Sequence, residues 1–325
     1  MSNTAVLEKT NPAPALNLKI DDRKNKHHIR NQLKRTWILY LFVLPAFAYI
    51  VIFNYIPMYG LLMAFQNYDP MKGIWKSEWV GFQQFTEFFQ SYQFWDLIRN
   101  TFVLSFYGMI AGFPLPIIYA LLLNYVRGNH FRKASQMITY APHFISTVVF
   151  CGMILLFLAK DGILNNIIAL FGADGPDYMG IPSAFPHIYV WSGVLQGFGF
   201  GSIIYISALS AVSPELHEAA IVDGATKFQR MIHIDLPSIA PTIIILLIMS
   251  AGNLLSVGFE KVFLLQNAIN MQYSEVIATY TYRIGIQGTQ FSYATAIGLF
   301  NNVVNFTVLI IVNKIAGKVS ETSLW

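Results

Sequence analysis

One polar segment of this chain combines carboxylates with very small side chains, and it lies between two apolar stretches of membrane length. Glu218 is followed directly by Ala219 and Ala220, and Asp223 is followed by Gly224. The carboxylates can make polar contacts with another surface, and the alanines are small enough to let that surface approach closely. This is the chemistry of docking rather than of making or breaking bonds. The pattern predicts a short helix that fits into a partner groove.

Local signals delimit two short helices in this segment. Ser213 can cap a helix whose first residue is Pro214, because the first turn leaves its N–H groups without helical partners. Gly224 can end that helix, since glycine readily adopts a left-handed conformation. Thr226 can start a second short helix, which is expected to end before Pro237 because the residue before a proline disfavours helix. The sequence therefore predicts two helices with a bend.

The rest of the sequence lacks the motifs of an enzyme. Gly317-Lys318 is followed by Val319, and no glycine lies five residues before Gly317, so this is not a phosphate-binding loop. No His/Cys group has metal-ligand spacing, and no nucleophile motif is present. The single cysteine, Cys151, lies in an apolar run and is expected to be a buried structural residue. We expect no catalytic residue, no metal site and no cofactor on this chain.

The composition is that of a membrane protein. The chain is 55% hydrophobic and 12% charged, whereas soluble domains carry roughly 25% charged residues. Six apolar stretches are long enough to cross a bilayer as helices, and their central portions lack Asp, Glu, Lys and Arg. We therefore predict an all-α integral membrane protein with six transmembrane helices. The predicted spans are Trp37–Ile56, Asn100–Tyr125, Met137–Leu158, His187–Leu209, Ile239–Val257 and Tyr293–Asn313.

The distribution of basic residues orients these spans. Of the 21 lysines and arginines, 15 fall on the side that holds both termini and the polar loop 210–237, so this side is expected to face the cytoplasm. We divide the chain into a basic tail (1–35), a six-span domain (36–318) and a short cytoplasmic tail (319–325). The basic tail can serve as a topology signal or touch anionic membrane lipid.

The polar segment carries a family resemblance. Glu218-Ala219-Ala220, then Gly224, then Ile234-Asp235-Leu236-Pro237 resembles the cytoplasmic loop of permease subunits in binding-protein-dependent ABC importers. Leu44-Pro45 and the run Asn54–Gly60 are similar to the larger permease of carbohydrate importers, in particular those for oligosaccharides released from polysaccharides. The resemblance covers nearly the whole chain. It departs from the maltose type, which has an extra pair of spans and a large outer insertion.

The resemblance implies a fold, partners and a mode of action. It implies the type I importer permease fold in a bacterial cytoplasmic membrane, with this chain as half of a heterodimeric pore beside a second permease subunit. Two ATPase subunits would hold ATP and magnesium, and an extracellular or periplasmic solute-binding protein would deliver an oligosaccharide. Nucleic acid is not an expected partner. The residues expected to couple the spans to the ATPase are Glu218, Ala219, Ala220, Asp223, Gly224, Leu236 and Pro237.

Candidate pathway residues lie in the apolar spans. Amides and aromatic rings suit sugars, and polar groups in membrane helices usually face protein or a water-filled cavity. Gly193, Gly197 and Gly201 form a small-residue stripe that favours either close helix packing or space along a pathway. The resemblance places the substrate on the spans that flank the loop. The candidates are Gln196, Phe200, Tyr205, Asn253 and Asn302.

Three alternatives remain at this point. The solute of the permease can be different, such as glycerol phosphate or a peptide. An ion-coupled secondary transporter is disfavoured by the uncharged spans, and a membrane scaffold or enzyme by the missing catalytic groups. Outside the membrane, Glu260, Lys261, Glu275 and Arg283 are either docking charges for a binding protein or ordinary solvated residues.

Overall fold

The computed structural model describes the backbone of residues 22–320 and the side chains of residues 36–318. Residues 1–21 and 321–325, which hold most of the two predicted tails, lie outside the described residues. The chain divides into two compact units, Met1–Tyr59 and Gly60–Trp325. In the first unit, the helix Asp22–Ile50 is followed by a π-helical turn, Val51–Tyr55, and by the short helix Ile56–Met58.

Among the described residues, six helical stretches are long and apolar enough to cross a membrane, as predicted. Their mean hydropathy lies between 1.3 and 2.2. A helix satisfies its own backbone hydrogen bonds, which a hydrocarbon environment requires. We number these spans in chain order. They are Thr36–Phe65, Phe94–Asn124, Thr147–Leu170, Pro182–Ser210, Lys227–Ala251 and Phe291–Lys318.

The third span begins later than predicted. The predicted stretch Met137–Leu158 is broken, because an amphipathic helix, Asn129–Tyr140, ends in the 3-10 turn Ala141–Phe144. A new helix, Thr147–Leu158, then starts at a cap, where the Ser146 hydroxyl accepts a hydrogen bond from the Val149 N–H at 3.4 Å. Pro142 and a capping serine four residues later are sufficient local reasons for the break.

The fifth span begins earlier than predicted. The second loop helix was expected to end before Pro237, and this is wrong: Lys227–Arg230 continues through a π-helical turn, Met231–Asp235, into Leu236–Ala251. A proline inside a regular helix would press its ring against the carbonyl four residues before it. The wider π-turn immediately before Leu236 displaces that carbonyl, so the helix passes through Pro237.

The fifth span also ends earlier than predicted, at Ala251 rather than at Val257. The chain leaves the helix here because the sixth span supplies replacement hydrogen bonds. The Asn305 side-chain oxygen accepts from the Leu255 N–H at 2.8 Å, and the Asn305 amide donates to the Ser256 hydroxyl at 2.9 Å. Asn305 therefore holds the fifth and sixth spans together, the role that polar residues often have between membrane helices.

The remaining spans follow the prediction with shifts at their ends, the largest at the first, which ends at Phe65 rather than at Ile56. The second consists of Phe94–Gly112 and Pro114–Asn124, joined at Phe113. The fourth contains the helix Phe185–Ser210, and the sixth is the helix Phe291–Ser320.

Short elements fill the side opposite the polar loop. Strand Gln66–Asn67 pairs antiparallel with Glu78–Trp79, and helix Gln83–Gln90 buries Phe88 against the second and sixth spans. The other elements are the 3-10 turns Tyr59–Phe65, Tyr178–Gly180 and Pro182–Ala184, the helices Ile163–Leu170, Phe259–Leu265, Met271–Ser274 and Ile277–Tyr282, and the π-turn Arg283–Gln287.

Three clusters of buried side chains hold the second unit together. One lies on the half that carries the polar loop, which we call inner, with the opposite side called outer. It joins the second, fourth and fifth spans through Ile117, Leu121, Leu209 and Ile239. The other two join the outer elements to the spans, and one of these contains Cys151, which is 1% exposed as predicted for a structural cysteine. The polar loop therefore leaves from spans that are packed together at their inner ends.

Candidate functional site

The helix Pro214–Val222, called here the loop helix, begins as its sequence predicts. The Ser213 hydroxyl accepts a hydrogen bond from the Glu215 N–H at 3.3 Å, and Pro214 occupies the first turn. Glu215 lies in the same turn, where its negative charge faces the positive end of the helix dipole.

The end of the loop helix is a complete Schellman motif. Gly224 has a φ of +80°, in the left-handed region that glycine tolerates best. The Gly224 N–H donates to the Ile221 carbonyl at 3.0 Å, and the Ala225 N–H donates to the Ala220 carbonyl at 2.8 Å. The prediction that Gly224 ends this helix is confirmed. Because both hydrogen bonds are accepted by carbonyls of the last helical turn, the bend that follows has a fixed direction.

The second loop helix is capped from both sides. The Thr226 hydroxyl accepts from the Gln229 N–H at 3.3 Å, while the Gln229 side chain accepts from the Thr226 N–H at 2.8 Å. This reciprocal arrangement is a capping box, which satisfies two otherwise unbonded donors. The predicted start at Thr226 is confirmed. The loop is therefore ordered by its own sequence at each of its three turning points.

The outward surface of the loop is more apolar than expected. Glu218 and Ala219 are exposed and Ala220 is half-buried, in keeping with a presented face. Val222 is 87% exposed and Phe228 is 68% exposed. Large exposed apolar side chains in a polar loop indicate an interaction surface. Sequence reasoning missed both residues, although apolar side chains within a polar stretch were a usable signal.

A buried carboxylate lies where the loop returns to the membrane. Asp235 is fully buried at the start of the fifth span. One of its oxygens, Oδ2, accepts a hydrogen bond from the Tyr125 hydroxyl at 2.6 Å, and Oδ1 lies 3.1 Å from His217 Nε2. The Arg230 guanidinium lies 5.7 Å from the centroid of the Tyr125 ring. We call Tyr125, His217, Arg230 and Asp235 the Asp235 cluster.

The hydroxyl of Tyr125 keeps its proton beside Asp235. Burial, and then the hydrogen bond to Asp235, raise the pKa of Tyr125 above its usual range, so its hydroxyl remains a donor. A buried carboxylate is costly to leave without partners. The sequence motif drew attention to Asp235 as part of Ile234–Pro237, but Tyr125 lies 110 positions away and carried no signal of this contact.

Two predicted pathway residues lie near the break before the third span. The Gln196 amide donates to the Ile145 carbonyl at 3.1 Å, and so it supplies a bond where the backbone is irregular. The Phe200 ring stacks on the His143 ring with centroids 3.9 Å apart, and Phe200 is 38% exposed. The structure brings these two residues to one region of the fourth span.

The other three pathway candidates lie elsewhere. Tyr205 is 4% exposed and packs in the inner cluster with Ile117 and Ile239, which favours a packing role over the predicted contact with substrate. Asn253 lines a cavity of about 180 Å³, together with Ser105 and other residues of the second, fourth and fifth spans. Asn302 is exposed on the sixth span.

The glycine stripe of the fourth span serves more than one purpose. A side chain at Gly199 would overlap the Thr139 carbonyl of the helix Asn129–Tyr140, so close packing requires this glycine. At Gly197, by contrast, a methyl group would meet no atom within 4 Å. Packing therefore requires Gly199, which lies between two residues of the stripe, whereas Gly197 of the stripe itself borders open space.

The outer charges are mostly engaged within the chain. Arg283 Nε donates to Glu275 Oε1 at 2.9 Å, and Lys261 Nζ donates to the Tyr189 carbonyl at 2.8 Å. Burial lowers the pKa of Lys261 to about 8. The hypothesis that these three residues are docking charges therefore loses support, whereas Glu260 is exposed. Among residues 36–318, no group of three His, Cys, Asp or Glu side chains could hold a metal ion.

The chain thus combines spans of membrane length with an exposed, capped loop between the fourth and fifth of them. Residues 112–320 match the family described as binding-protein-dependent transport system inner membrane component. The chain belongs to this family and is a permease subunit of an ABC importer. Membership in this family excludes two alternatives from the sequence analysis, the ion-coupled secondary transporter and the membrane scaffold.

Individual relatives cover nearly the whole chain. Protein LplB of Bacillus subtilis is 40% identical over 90% of this chain and 92% of its own length. The polygalacturonan/rhamnogalacturonan transport system permease protein YteP of the same organism is 38% identical over 96% of this chain and 98% of its own length. One chain from the crystal structure of a bacterial ABC transporter involved in import of the acidic polysaccharide alginate is 40% identical, with a TM-score of 0.83 over 90% of this chain and 99% of that one.

Proposed function

We propose that this chain forms one half of a heterodimeric translocation pore for oligosaccharides and that its loop couples the pore to ATPase subunits. The observation that carries the coupling proposal is the exposed loop helix with its fixed Schellman end. A surface that transmits force must be ordered before it docks, and capping bonds supply that order locally.

In this account the loop helix docks in a groove of the ATPase. Ala219 and Ala220 let the groove approach closely, and Glu218 and Asp223 make polar contacts at its edge. Gly224 fixes the direction of the bend. The apolar side chains of Val222 and Phe228 bury surface in the partner, which is the main favourable contribution to association. ATP and magnesium are held by the partner, and this chain carries no chemistry.

Leu236 and Pro237 carry the movement of the loop into the membrane. Both are exposed at the start of the fifth span, directly after the π-turn. Because the helix is continuous from Lys227 to Ala251, a displacement of the loop moves the inner end of this span. Alternating access then follows as the two halves of the pore rock against one another.

The proposed substrates are oligosaccharides released from polysaccharides, with uronate-containing ones first. The 38% identical permease and the 40% identical chain of a solved structure support a saccharide, because their names contain the acidic polymers polygalacturonan and alginate. The sn-glycerol-3-phosphate permease UgpA of Escherichia coli is only 27% identical over 80% of this chain, which makes a phosphate ester the second candidate. Gln196, Phe200, Asn253 and Asn302 are the proposed contacts with the sugar.

The proposed location is a bacterial cytoplasmic membrane with both termini and the loop inside. The excess of basic residues on the loop side supports this orientation. A solute-binding protein then meets the outer elements between the first and second spans and before the sixth. A similar chain from an alginate transporter has been seen in complex with a periplasmic protein that carries an alginate pentasaccharide.

Uptake by the reconstituted complex tests this function. The tagged chain would be purified with its partners, placed in proteoliposomes with the solute-binding protein, and supplied with labelled oligogalacturonide, a neutral oligosaccharide or sn-glycerol 3-phosphate. We expect ATP-dependent uptake of an oligosaccharide, with preference for the acidic one. Uptake of glycerol phosphate alone would replace the substrate proposal, and uptake without ATP would overturn the coupling proposal.

A further inference from the structure

The Asp235 cluster joins three segments that meet only in the folded chain. Tyr125 follows the inner end of the second span, His217 lies on the loop helix one residue before Glu218, and Asp235 ends the π-turn of the fifth span. Among the described residues from 60 to 318, no second hydrogen bond or ion pair joins a side chain of the loop helix to a span. The carboxylate is therefore the polar connection between the loop and the membrane helices.

Burial makes this connection stiff. Asp235 has no exposed surface, so solvent cannot replace either of its partners without the cluster opening. The 2.6 Å bond from Tyr125 is short, as expected for a charged acceptor. His217 is 21% exposed on its side chain and covers the other oxygen at 3.1 Å. The Arg230 guanidinium lies over the Tyr125 ring, 5.7 Å from its centroid, and so packs on the same residue.

The location of the cluster fits a role in transmission rather than in docking. His217, its member on the loop helix, faces the buried Asp235 carboxylate, whereas Glu218 and Ala219 are exposed on the docking face. Moving the loop helix away from the spans would take His217 away from Oδ1 and leave that oxygen of the buried carboxylate uncovered, with Tyr125 bonded only to Oδ2. The helix can therefore move at low cost only if the second and fifth spans move with it.

We propose that Asp235, held between Tyr125 and His217, is a positioning residue that makes the loop helix and the inner ends of the second and fifth spans move as one body. This inference rests on the proposed docking of the loop helix to an ATPase. It adds that the second span is driven together with the fifth, through Tyr125.

The test separates docking from transmission. The variants Asp235→Asn, Tyr125→Phe and His217→Leu would be studied in the complete complex, with three measurements: ATPase co-purification, ATP hydrolysis and substrate transported per ATP. We expect co-purification to be unchanged, because the docking face is intact. Transport per ATP should fall at least about fivefold, the lower end of typical coupling strengths.

Three comparisons distinguish transmission from general damage. His217→Gln keeps an N–H near the position of Nε2 and should restore at least half of the coupling that His217→Leu removes. His233→Gln is the matched control, because the His233 ring contacts the Gln229 carbonyl at 2.9 Å and lies outside the cluster. Combining Asp235→Asn with His217→Leu should cost no more than the larger single effect, since both remove the same connection.

Each outcome bears on one proposal. Unchanged transport per ATP in Tyr125→Phe and His217→Leu, with the complex intact, would overturn the role of the cluster. Additive losses in the double variant would do the same. Failure of the unaltered chain to bring an ATPase with it would instead contradict the docking proposal. If Asp235→Asn does not reach the membrane, Tyr125→Phe and His217→Leu decide the question alone.

Discussion

Replacing Gly224 by alanine isolates the contribution of backbone conformation to coupling. Gly224 has a φ of +80°, and a methyl group added there would meet no atom within 4 Å. The effect of Gly224→Ala therefore comes from the left-handed conformation and not from a clash. That conformation costs an L-residue about 1–2 kcal/mol. A penalty of this size reduces the ratio of ordered to disordered conformations of the loop end by a factor of about 5–30.

The loss should follow a definite order among substitutions. Gly224→Asn should cost least, because asparagine tolerates the left-handed region better than alanine. Gly224→Pro should cost most, because proline fixes φ near −65° and removes the N–H that bonds to the Ile221 carbonyl at 3.0 Å. Substrate-stimulated ATP hydrolysis should fall from glycine to asparagine, alanine and proline in turn, while insertion into the membrane is unchanged.

The matched control is a second glycine with the same geometry on the opposite side of the membrane. Gly172 has a φ of +76° and ends the helix Ile163–Leu170, and its N–H donates to the Ala169 carbonyl at 3.0 Å. Gly172→Ala carries the same local penalty but lies far from the loop, so stimulated hydrolysis should be unchanged. Normal stimulation in Gly224→Ala and Gly224→Pro, or an equal loss in Gly172→Ala, would refute the reasoning.

Three further predictions concern stability. Gly199→Ala should lower the melting temperature of the purified chain by several degrees, because overpacking costs about 1–3 kcal/mol. Gly197→Ala should leave the melting temperature unchanged. Equal melting temperatures of the two variants would contradict the packing of the fourth span. Arg283→Gln should destabilise the outer elements by about 2 kcal/mol, because it leaves the largely buried Glu275 carboxylate without its charged donor. Urea unfolding of the chain in detergent measures this loss of stability. The pKa of Lys261 is lowered from 10.5 to about 8, so between these pH values the unfolded chain binds more protons than the folded chain, and stability should rise with pH. The melting temperature should therefore rise from pH 7 to pH 10 in the unaltered chain but not in Lys261→Met. A rise of equal size in the variant would assign the effect to another group.

The sequence predicted features that depend on short-range signals. Ser213, Gly224 and Thr226 lie where capping chemistry places them, because each acts on the backbone within a few residues. The six spans follow from the length of their apolar runs. The type of element and the location of the loop could therefore be derived before the structure was known.

Features that depend on long-range contacts could not be derived in this way. The early end of the fifth span depends on Asn305, 50 positions from Leu255. The passage of the helix through Pro237 depends on a π-turn, which has no reliable sequence signal. The rotation of each span about its axis was also hidden, which is why Tyr205 was expected on a pathway and lies instead in the packed inner cluster.

The most direct test of the central claim is the composition of the complex that this chain forms. The tagged chain would be purified from native membranes in mild detergent, and its partners identified and counted by mass spectrometry. We predict one second six-span permease and two ATPase subunits for each copy, with the ATPase lost in Gly224→Pro. Recovery of the chain alone, in a form that still moves solute after reconstitution, would contradict the claim that it is half of an ATP-driven pore.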